Sequence, residues 1–298
     1  MKLADADLRL LRVFRTVADT GGFSQAAVQL NVGASTVSTH MANFEKRLGF
    51  RLCNRGRSGF SLTEKGLKVL ELTVQLETAL EDYSTSINEM QGKITGKLNI
   101  GLIDYMTSVP GFFIADVMDE FSKTAPDATL NLEVLPQADL IRSILDGRIH
   151  VGIGPNLARG TGLIIEPFLD EVMEIYCGDK HPLYGSKARK VSRDTIHTHR
   201  FVGNKIDGSA TDTRRWTEPG DALGSNLESI AILILSGGYL GFLPTHFAEQ
   251  WVSTGQMKSV CPDLISVPQN LNIVTRASGE RSASLKEFLR ILKDLCAR

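Results

Sequence analysis

The sequence predicts a mixed α/β chain of three parts: a small winged helix-turn-helix head, a long connecting helix and a larger α/β body. Three observations carry that prediction. Apolar residues fall at helical spacing in three blocks before position 50. A stretch free of proline and glycine follows Gly66. From Lys97 onward, strand-like and helix-like runs alternate. The implied division is 1–65 for the head, 66–92 for the linking helix and 93–298 for the body. Within the body, one lobe takes about 93–166 and 269–298, and a second takes about 167–268.

In the head, Leu8, Leu11, Val13, Phe14, Val17 and Ala18 form the apolar face of a first helix. Gly21-Gly22 closes it, because glycine tolerates the positive φ of a C-terminal cap. Ser24 has the chemistry to N-cap a second helix containing Ala26, Ala27, Val28 and Leu30. Asn31-Val32-Gly33 makes a tight turn, and Val37, Met41, Phe44 and Leu48 stripe a third helix that ends at Gly49. The other side of that helix is small and polar: Ser35, Thr36, Ser38, Thr39, His40 and Asn43. A helix entering a DNA major groove needs such a face, with donors and acceptors and no bulk to hold it off the base edges. An ordinary solvated helix shows the same composition, so the segment beyond Gly49 has to distinguish the two. Phe50-Arg51-Leu52-Cys53 and Phe60-Ser61-Leu62 read as two strands around a glycine-containing tip with Arg55 and Arg57, cations able to reach phosphates or a narrow minor groove. Thr63 is placed to N-cap the next helix.

Charge is distributed unevenly. The first 66 residues hold ten basic and five acidic side chains, a net of +5 in a chain whose total is −1. A basic head on an acidic body is the asymmetry of a polyanion binder with a second module attached.

In the connecting helix, Val69, Leu72, Leu76, Leu80, Tyr83, Ile87 and Met90 recur in steps of three and four, to about Gln91. That is the period of a coiled-coil seam. The seam either packs on its own domain or meets a second copy. With no neighbouring helix in the sequence to pair with, the second copy is favoured.

The body opens with a strand over 97–102, followed by a helix over 109–122, strand 130–135, helix 139–145 and strand 151–153. Strands over 171–177 and 200–202, a helix over 227–236, strands over 240–243 and 271–275 and a helix over 284–295 complete it. Alternation of this kind implies a mainly parallel sheet, with ligands held beyond the carboxyl ends of the strands. The first strand leads into Asp104-Tyr105-Met106-Thr107-Ser108, whose hydroxyls and free N–H groups suit a carboxylate or other small anion. Tyr105, Thr107 and Ser108, faced by Asn204 and by Pro244 and Thr245, are the candidate ligand contacts. Asp104 would repel an anion unless paired, which keeps a cationic or neutral ligand open.

The stretch from Phe14 to Gly66 resembles the DNA-binding head of LysR-type transcriptional regulators. The residues that carry the likeness are Phe23-Ser24-Gln25-Ala26-Ala27, Val37-Ser38, Glu45-Lys46-Arg47-Leu48-Gly49 and Leu62-Thr63-Glu64-Lys65-Gly66. Ser236-Gly237-Gly238-Tyr239-Leu240-Gly241-Phe242-Leu243-Pro244 extends it into the body. The resemblance implies a sequence-specific regulator that contacts double-stranded promoter DNA through Ser24, Ser35, Thr36, Ser38, Thr39, His40, Arg55 and Arg57. It implies a two-lobed, periplasmic-binding-protein-like effector domain with a small molecule in its cleft. It also implies dimerisation through the connecting helix, with tetramers as the larger assembly and RNA polymerase as a further candidate partner. Ala34-Ser35 stands where family members often have Gln-Pro, and Thr39 where they often have a basic residue. His150 stands in place of a usual aspartate, which predicts the loss of a structural hydrogen bond.

Two other classes share the body's fold: enzymes and transporter solute-binding proteins. None of the nucleophile-elbow, phosphate-loop, zinc-protease or dinucleotide motifs occurs, so no catalytic residue is assigned. His197 and His199 are the best metal pair but lack a third ligand, so neither metal nor cofactor is expected. The four cysteines are scattered; Cys177 with Cys261 is the one pairing that a thiol sensor would use. With no signal segment at the amino terminus and no apolar run of membrane-spanning length, a cytoplasmic location and no membrane contact are expected.

Overall fold

The computed structural model describes residues 5–56, 59–90, 93–155, 161–186, 191–204, 220–277 and 281–296. Internal contacts divide the chain into two units, Met1–Glu81 and Asp82–Arg298.

The first unit is built on α1 (Asp5–Thr20), α2 (Phe23–Gln29) and α3 (Ala34–Leu48), with a hairpin of β1 (Cys53–Gly56) and β2 (Gly59–Leu62). Phe14, Val17, Ala26, Val37, Met41 and Leu52 are fully buried in its core, and the Phe14 and Phe44 rings lie 6.0 Å apart. Apart from Leu52, these are positions that helical periodicity selects; Val28, selected by the same period, is instead 83% exposed. Ser24 is not the cap of α2. The helix already begins at Phe23, with Gly22 at the N-cap in an extended conformation. Gly49 adopts φ +79° and ends α3, where its N–H donates to the Glu45 carbonyl. The hairpin starts three residues later than predicted. Leu52 goes into the core rather than onto a strand, and pairing runs from Cys53 opposite Leu62 to Gly56 opposite Gly59. Arg55 is therefore a strand residue, while Arg57 lies outside the described residues.

The long helix α4 (Glu64–Glu89) comes next, and Thr63 caps it as expected, its Oγ1 accepting the Gly66 N–H at 2.9 Å. The predicted seam divides. Val69 and Leu76 pack on the head's own core, whereas Leu72, Leu80, Tyr83 and Ile87 stay exposed. Thr73 and Val74, outside the predicted seam, are buried instead.

The second unit carries β3 (Gly96–Leu102), α5 (Ile114–Thr124), β4 (Ala128–Val134), α6 (Gln137–Leu145), β5 (Val151–Pro155) and β6 (Leu163–Gly178). It continues with α7 (Arg193–His197), β7 (Val202–Asn204), β8 (Ala222–Gly224), α8 (Leu227–Leu235), β9 (Leu240–Pro244) and α9 (Thr245–Val252). It closes with β10 (Met257–Ser259), β11 (Ser266–Arg276) and α10 (Ala283–Cys296). The main sheet runs β10-β6-β11-β5-β3-β4, with β9 also paired to β6, and β7 pairs β8 in a separate sheet.

That sheet is mixed rather than mainly parallel. β3 runs parallel to β4 and β5, but β11 is antiparallel to β5 and β6, and β9 and β10 are antiparallel to β6. The cause is the length of β6 and β11. Sequence pattern assigns them seven and five residues, but each runs on from one core to the other. Pro167, which looks like a break, is absorbed where the register slips near Leu271/Asn272. On one side of this pair lies a core of Ile100, Phe121, Leu140, Ile153 and Phe288; on the other lie Ile175, Leu240, Phe242 and the α8 residues Ile230 and Ile234.

The predicted helix over 109–122 begins only at Ile114. Pro110 and the positive φ of Gly111 (+78°) leave just one 3-10 turn, Met106–Ser108, ahead of it. At His150 the expected loss of a hydrogen bond does not occur. Its Nδ1 accepts the Asn99 N–H at 3.0 Å, while its own N–H donates to the Asn99 carbonyl at 2.9 Å. The imidazole lone pair replaces the carboxylate as acceptor.

Candidate functional site

The candidate residues gather in two places, one in each unit. On α3, Ser35, Thr39 and Asn43 recur every four residues and are exposed, with Thr36 and Lys46 on the same side; Ser38 and His40 flank them, half-buried. The core residues Val37, Met41 and Phe44 occupy the opposite face. The helix therefore presents short polar side chains outward, and Thr39 turns its hydroxyl hydrogen to the Ser35 carbonyl (2.9 Å), leaving its oxygen as an acceptor. Ser24 is exposed on α2.

The electrostatics of this face depend on where the head's carboxylates go. Asp7 is buried and bonded to Arg47 at 2.7 Å. Glu45 accepts the Leu52 N–H at 2.7 Å and the Cys53 N–H at 3.3 Å, which pins the start of the hairpin to the end of α3. Asp19 is held by Arg15, which also reaches Glu77 at 2.7 Å. These contacts partly neutralise the acids by local bonds, while Lys46, Arg51 and Lys65 remain exposed. Lys65 sits over the Phe50 ring at 5.0 Å, beside the base of the hairpin.

The second is a buried polar cluster where the loop after β3 meets the long strands and the start of α9. Glu171, on β6, has its side chain wholly removed from solvent. Its Oε1 accepts from Tyr105 Oη at 3.0 Å and from Gln269 Nε2 at 2.5 Å, and its Oε2 lies 3.0 Å from His246 Nε2. The other ring nitrogen of His246 lies 3.0 Å from Ser108 Oγ, and Ser108 donates to the Tyr105 carbonyl at 2.8 Å. The Tyr105 carbonyl also accepts the Ser108 N–H at 3.0 Å, so the single serine hydrogen is shared between that carbonyl and the imidazole, and the direction of the Ser108–His246 bond follows the ring's tautomer. Burial, then the Glu171 carboxylate beside it, hold the Tyr105 phenol well above its ordinary pKa and keep it a donor.

Ser108, His246 and Glu171 are arranged in the order of a nucleophile, a base and an acid. The Tyr105 carbonyl, 2.8 Å from Ser108 Oγ, is a second acceptor that competes with the imidazole for the serine's one hydrogen. Asp104 is also bonded: its Oδ2 accepts the Leu227 N–H at 3.0 Å, at the start of α8. Tyr105 itself takes a left-handed conformation, φ +59°, uncommon for a bulky residue.

Of the ligand contacts expected from the sequence, the structure brings Tyr105 and Ser108 into one cluster. Thr107 is exposed on the same turn and takes no part in it. Pro244 is buried at the end of β9, and Thr245 opens α9 one residue before His246. Asn204 ends β7, and its side chain lies outside what is described. Sequence reasoning missed Glu171, Gln269 and His246. The available signal was a carboxylate inside a predicted buried strand, and a histidine next to a pair already singled out.

The His199 ring lies against that of His181, centroids 4.8 Å apart and planes tilted by 55°. Among the described residues no group of three or more His, Cys, Asp or Glu side chains comes together to hold a metal. No helix there is long and apolar enough to cross a membrane. Cys177 and Cys261 are free and buried, and burial pushes both thiols up to about 11. A neutral buried thiol is a poor nucleophile. Native protein treated with iodoacetamide at pH 7.5 is therefore expected to leave both unalkylated, while denatured protein alkylates all four cysteines. Rapid native labelling at Cys177 or Cys261, read by peptide mass, would revive the thiol-sensor reading.

Known proteins match both units of the chain. Residues 8–67 match the family described as "Bacterial regulatory helix-turn-helix protein, lysR family", and residues 91–297 match "LysR substrate binding domain". The HTH-type transcriptional activator BauR of Pseudomonas aeruginosa is 33% identical over 97% of this chain and 95% of its own. The HTH-type transcriptional regulator CbbR of Sinorhizobium medicae is 26% identical, over 95% of this chain and 90% of its own. Among solved structures, full-length CbnR complexed with its target DNA superposes with a TM-score of 0.66 at 18% identity, covering 97% of this chain and 99% of that one. At that identity the structural likeness speaks to the fold.

Proposed function

Because the chain belongs to the LysR family of DNA-binding transcriptional regulators with effector-binding domains, we propose that α3 and its hairpin read a promoter while the Tyr105–Ser108–Glu171–His246 cluster senses the effector. The exposed polar face of α3, beside a hairpin that carries Arg55, supports the first half. Ser35, Thr36, Ser38, Thr39 and His40 contact base edges or adjacent phosphates, Ser24 contacts the backbone, and Arg55 and Arg57 grip the backbone or minor groove.

The exposed apolar residues Leu72, Leu80, Tyr83 and Ile87 join two chains along α4, so that two heads engage two half-sites. Val69 and Leu76, the other two residues of the expected seam, pack on the head's own core and tie the helix to it. Pairs of dimers on longer promoters and contact with RNA polymerase in the cytoplasm complete the reading. In the body, the cleft lies between lobes of about 93–166 with 269–298 and about 167–268, and Tyr105, Thr107, Ser108, Asn204, Pro244 and Thr245 line it.

A gel shift on DNA flanking the protein's own gene, run at rising salt, tests the DNA half. Ser38→Trp is expected to abolish the shift by blocking approach to the groove. Arg55→Ala is expected to weaken binding about threefold to tenfold and to reduce its salt dependence by about one charge. Absence of any salt-sensitive shift, with and without a metabolite panel, would overturn the reading.

A further inference from the structure

The Glu171 side chain is wholly buried, and a buried carboxylate is unfavourable unless it is paired and fully hydrogen-bonded. Two of its donors, Tyr105 and Gln269, are neutral, come from the loop after β3 and from β11, and both serve Oε1. Oε2 is served by His246, which comes from α9, on the other core. The other ring nitrogen of His246 is hydrogen-bonded to Ser108 Oγ, so one ring bridges a carboxylate oxygen and a hydroxyl oxygen, each at 3.0 Å. The cluster thus offers two acceptors, one of them anionic, to a single nitrogen-bearing group.

A protonated amine has three donors on one atom and satisfies the same two acceptors. A ligand carboxylate would instead meet Glu171 and, close by, Asp104, whose charge also bears on Tyr105. The hydrogen bonds of this cluster, among the described residues, include no lysine or arginine to offset it.

We propose that His246 holds the place of the effector's own nitrogen group: Glu171 selects a ligand bearing a protonated amine, which binds by displacing the imidazole. The inference rests on the reading of this cluster as the effector site. Apparent affinity is then reduced by the fraction of molecules in which His246 occupies Glu171, so removing the ring raises it.

Thermal shift of the full-length protein at pH 7 and constant ionic strength tests the proposal. The probes are ethylammonium, n-propylammonium, n-butylammonium and 1,4-butanediammonium, with acetate, propionate, butyrate and succinate as matched anions. At least one amine is expected to stabilise the protein, with no carboxylate doing so. For that amine, His246→Ala is expected to lower the half-saturating concentration about tenfold, and Glu171→Gln to abolish the response. A merely structural histidine would weaken the response when removed, so the direction of the His246→Ala change decides even if Glu171→Gln fails to fold by circular dichroism.

Stabilisation by a carboxylate alone, lost with Ser108→Trp, overturns the charge assignment and leaves the cleft reading standing. No response to either set in wild type and in His246→Ala overturns the proposal. The cleft reading falls separately, if a metabolite that alters promoter binding is unaffected by Ser108→Trp.

Discussion

Glutamate at both Leu80 and Ile87 is expected to convert the proposed dimer to monomers and to lower promoter affinity by about two orders of magnitude. Leu80 and Ile87 are 40% and 41% exposed, and Tyr83 between them is 67% exposed, at steps of three and four along α4. Large apolar side chains aligned in this way remain in water only if nothing covers them. In a paired helix each glutamate would be drawn into an apolar seam, and like charges would face each other across it. Both effects oppose association. The single-chain fold has little to lose, because neither residue belongs to a core. Light scattering reads the mass, and a gel shift reads the affinity that a second half-site had added. A variant that remains dimeric with wild-type affinity would remove α4 from the proposed interface.

Alanine at Gly66 is expected to destabilise the head by about 3 kcal/mol or more and to abolish promoter binding, with the body still folded. Gly66 is buried in the first turn of α4, and a Cβ there would overlap the carbonyl oxygen and carbon of Leu52. That carbonyl is not free to move. It accepts the Thr63 N–H at 2.9 Å, and Leu52 is itself fully buried, with its N–H bonded to Glu45. Relief of the overlap would pull apart the helix cap, the hairpin base and the end of α3 together. Differential scanning calorimetry should show one transition lowered or lost and another unchanged. Wild-type melting and DNA binding in Gly66→Ala would mean that the two backbones separate at little cost.

How far the sequence could be read depended on the range of each interaction. Gly49 and Thr63 were legible because a cap is settled within a few residues. The core stripe of α3 was legible because helical period alone puts Val37, Met41 and Phe44 on one side. The hairpin was placed three residues early because Leu52, an apolar residue in a strand-like run, is claimed by the core instead. His150 looked like a lost bond because family pattern names a residue type, whereas the structure needs only an acceptor beside the Asn99 N–H. The even seam along α4 hid a division, since period cannot tell whether an apolar side chain meets its own head, as Val69 and Leu76 do, or remains exposed, as Leu80 does.

Periodicity, glycine placement and charge asymmetry by themselves determined a basic winged head, a long amphipathic helix and an α/β body, since each arises from neighbours along the chain. Only the tertiary structure decided that β6 and β11 run on from one core to the other, that the sheet is mixed, and that Ser108, Glu171 and His246 meet. Those three residues are separated by as many as 138 positions. Their bonds exist because packing excludes water from a carboxylate and leaves it only the partners that the fold supplies.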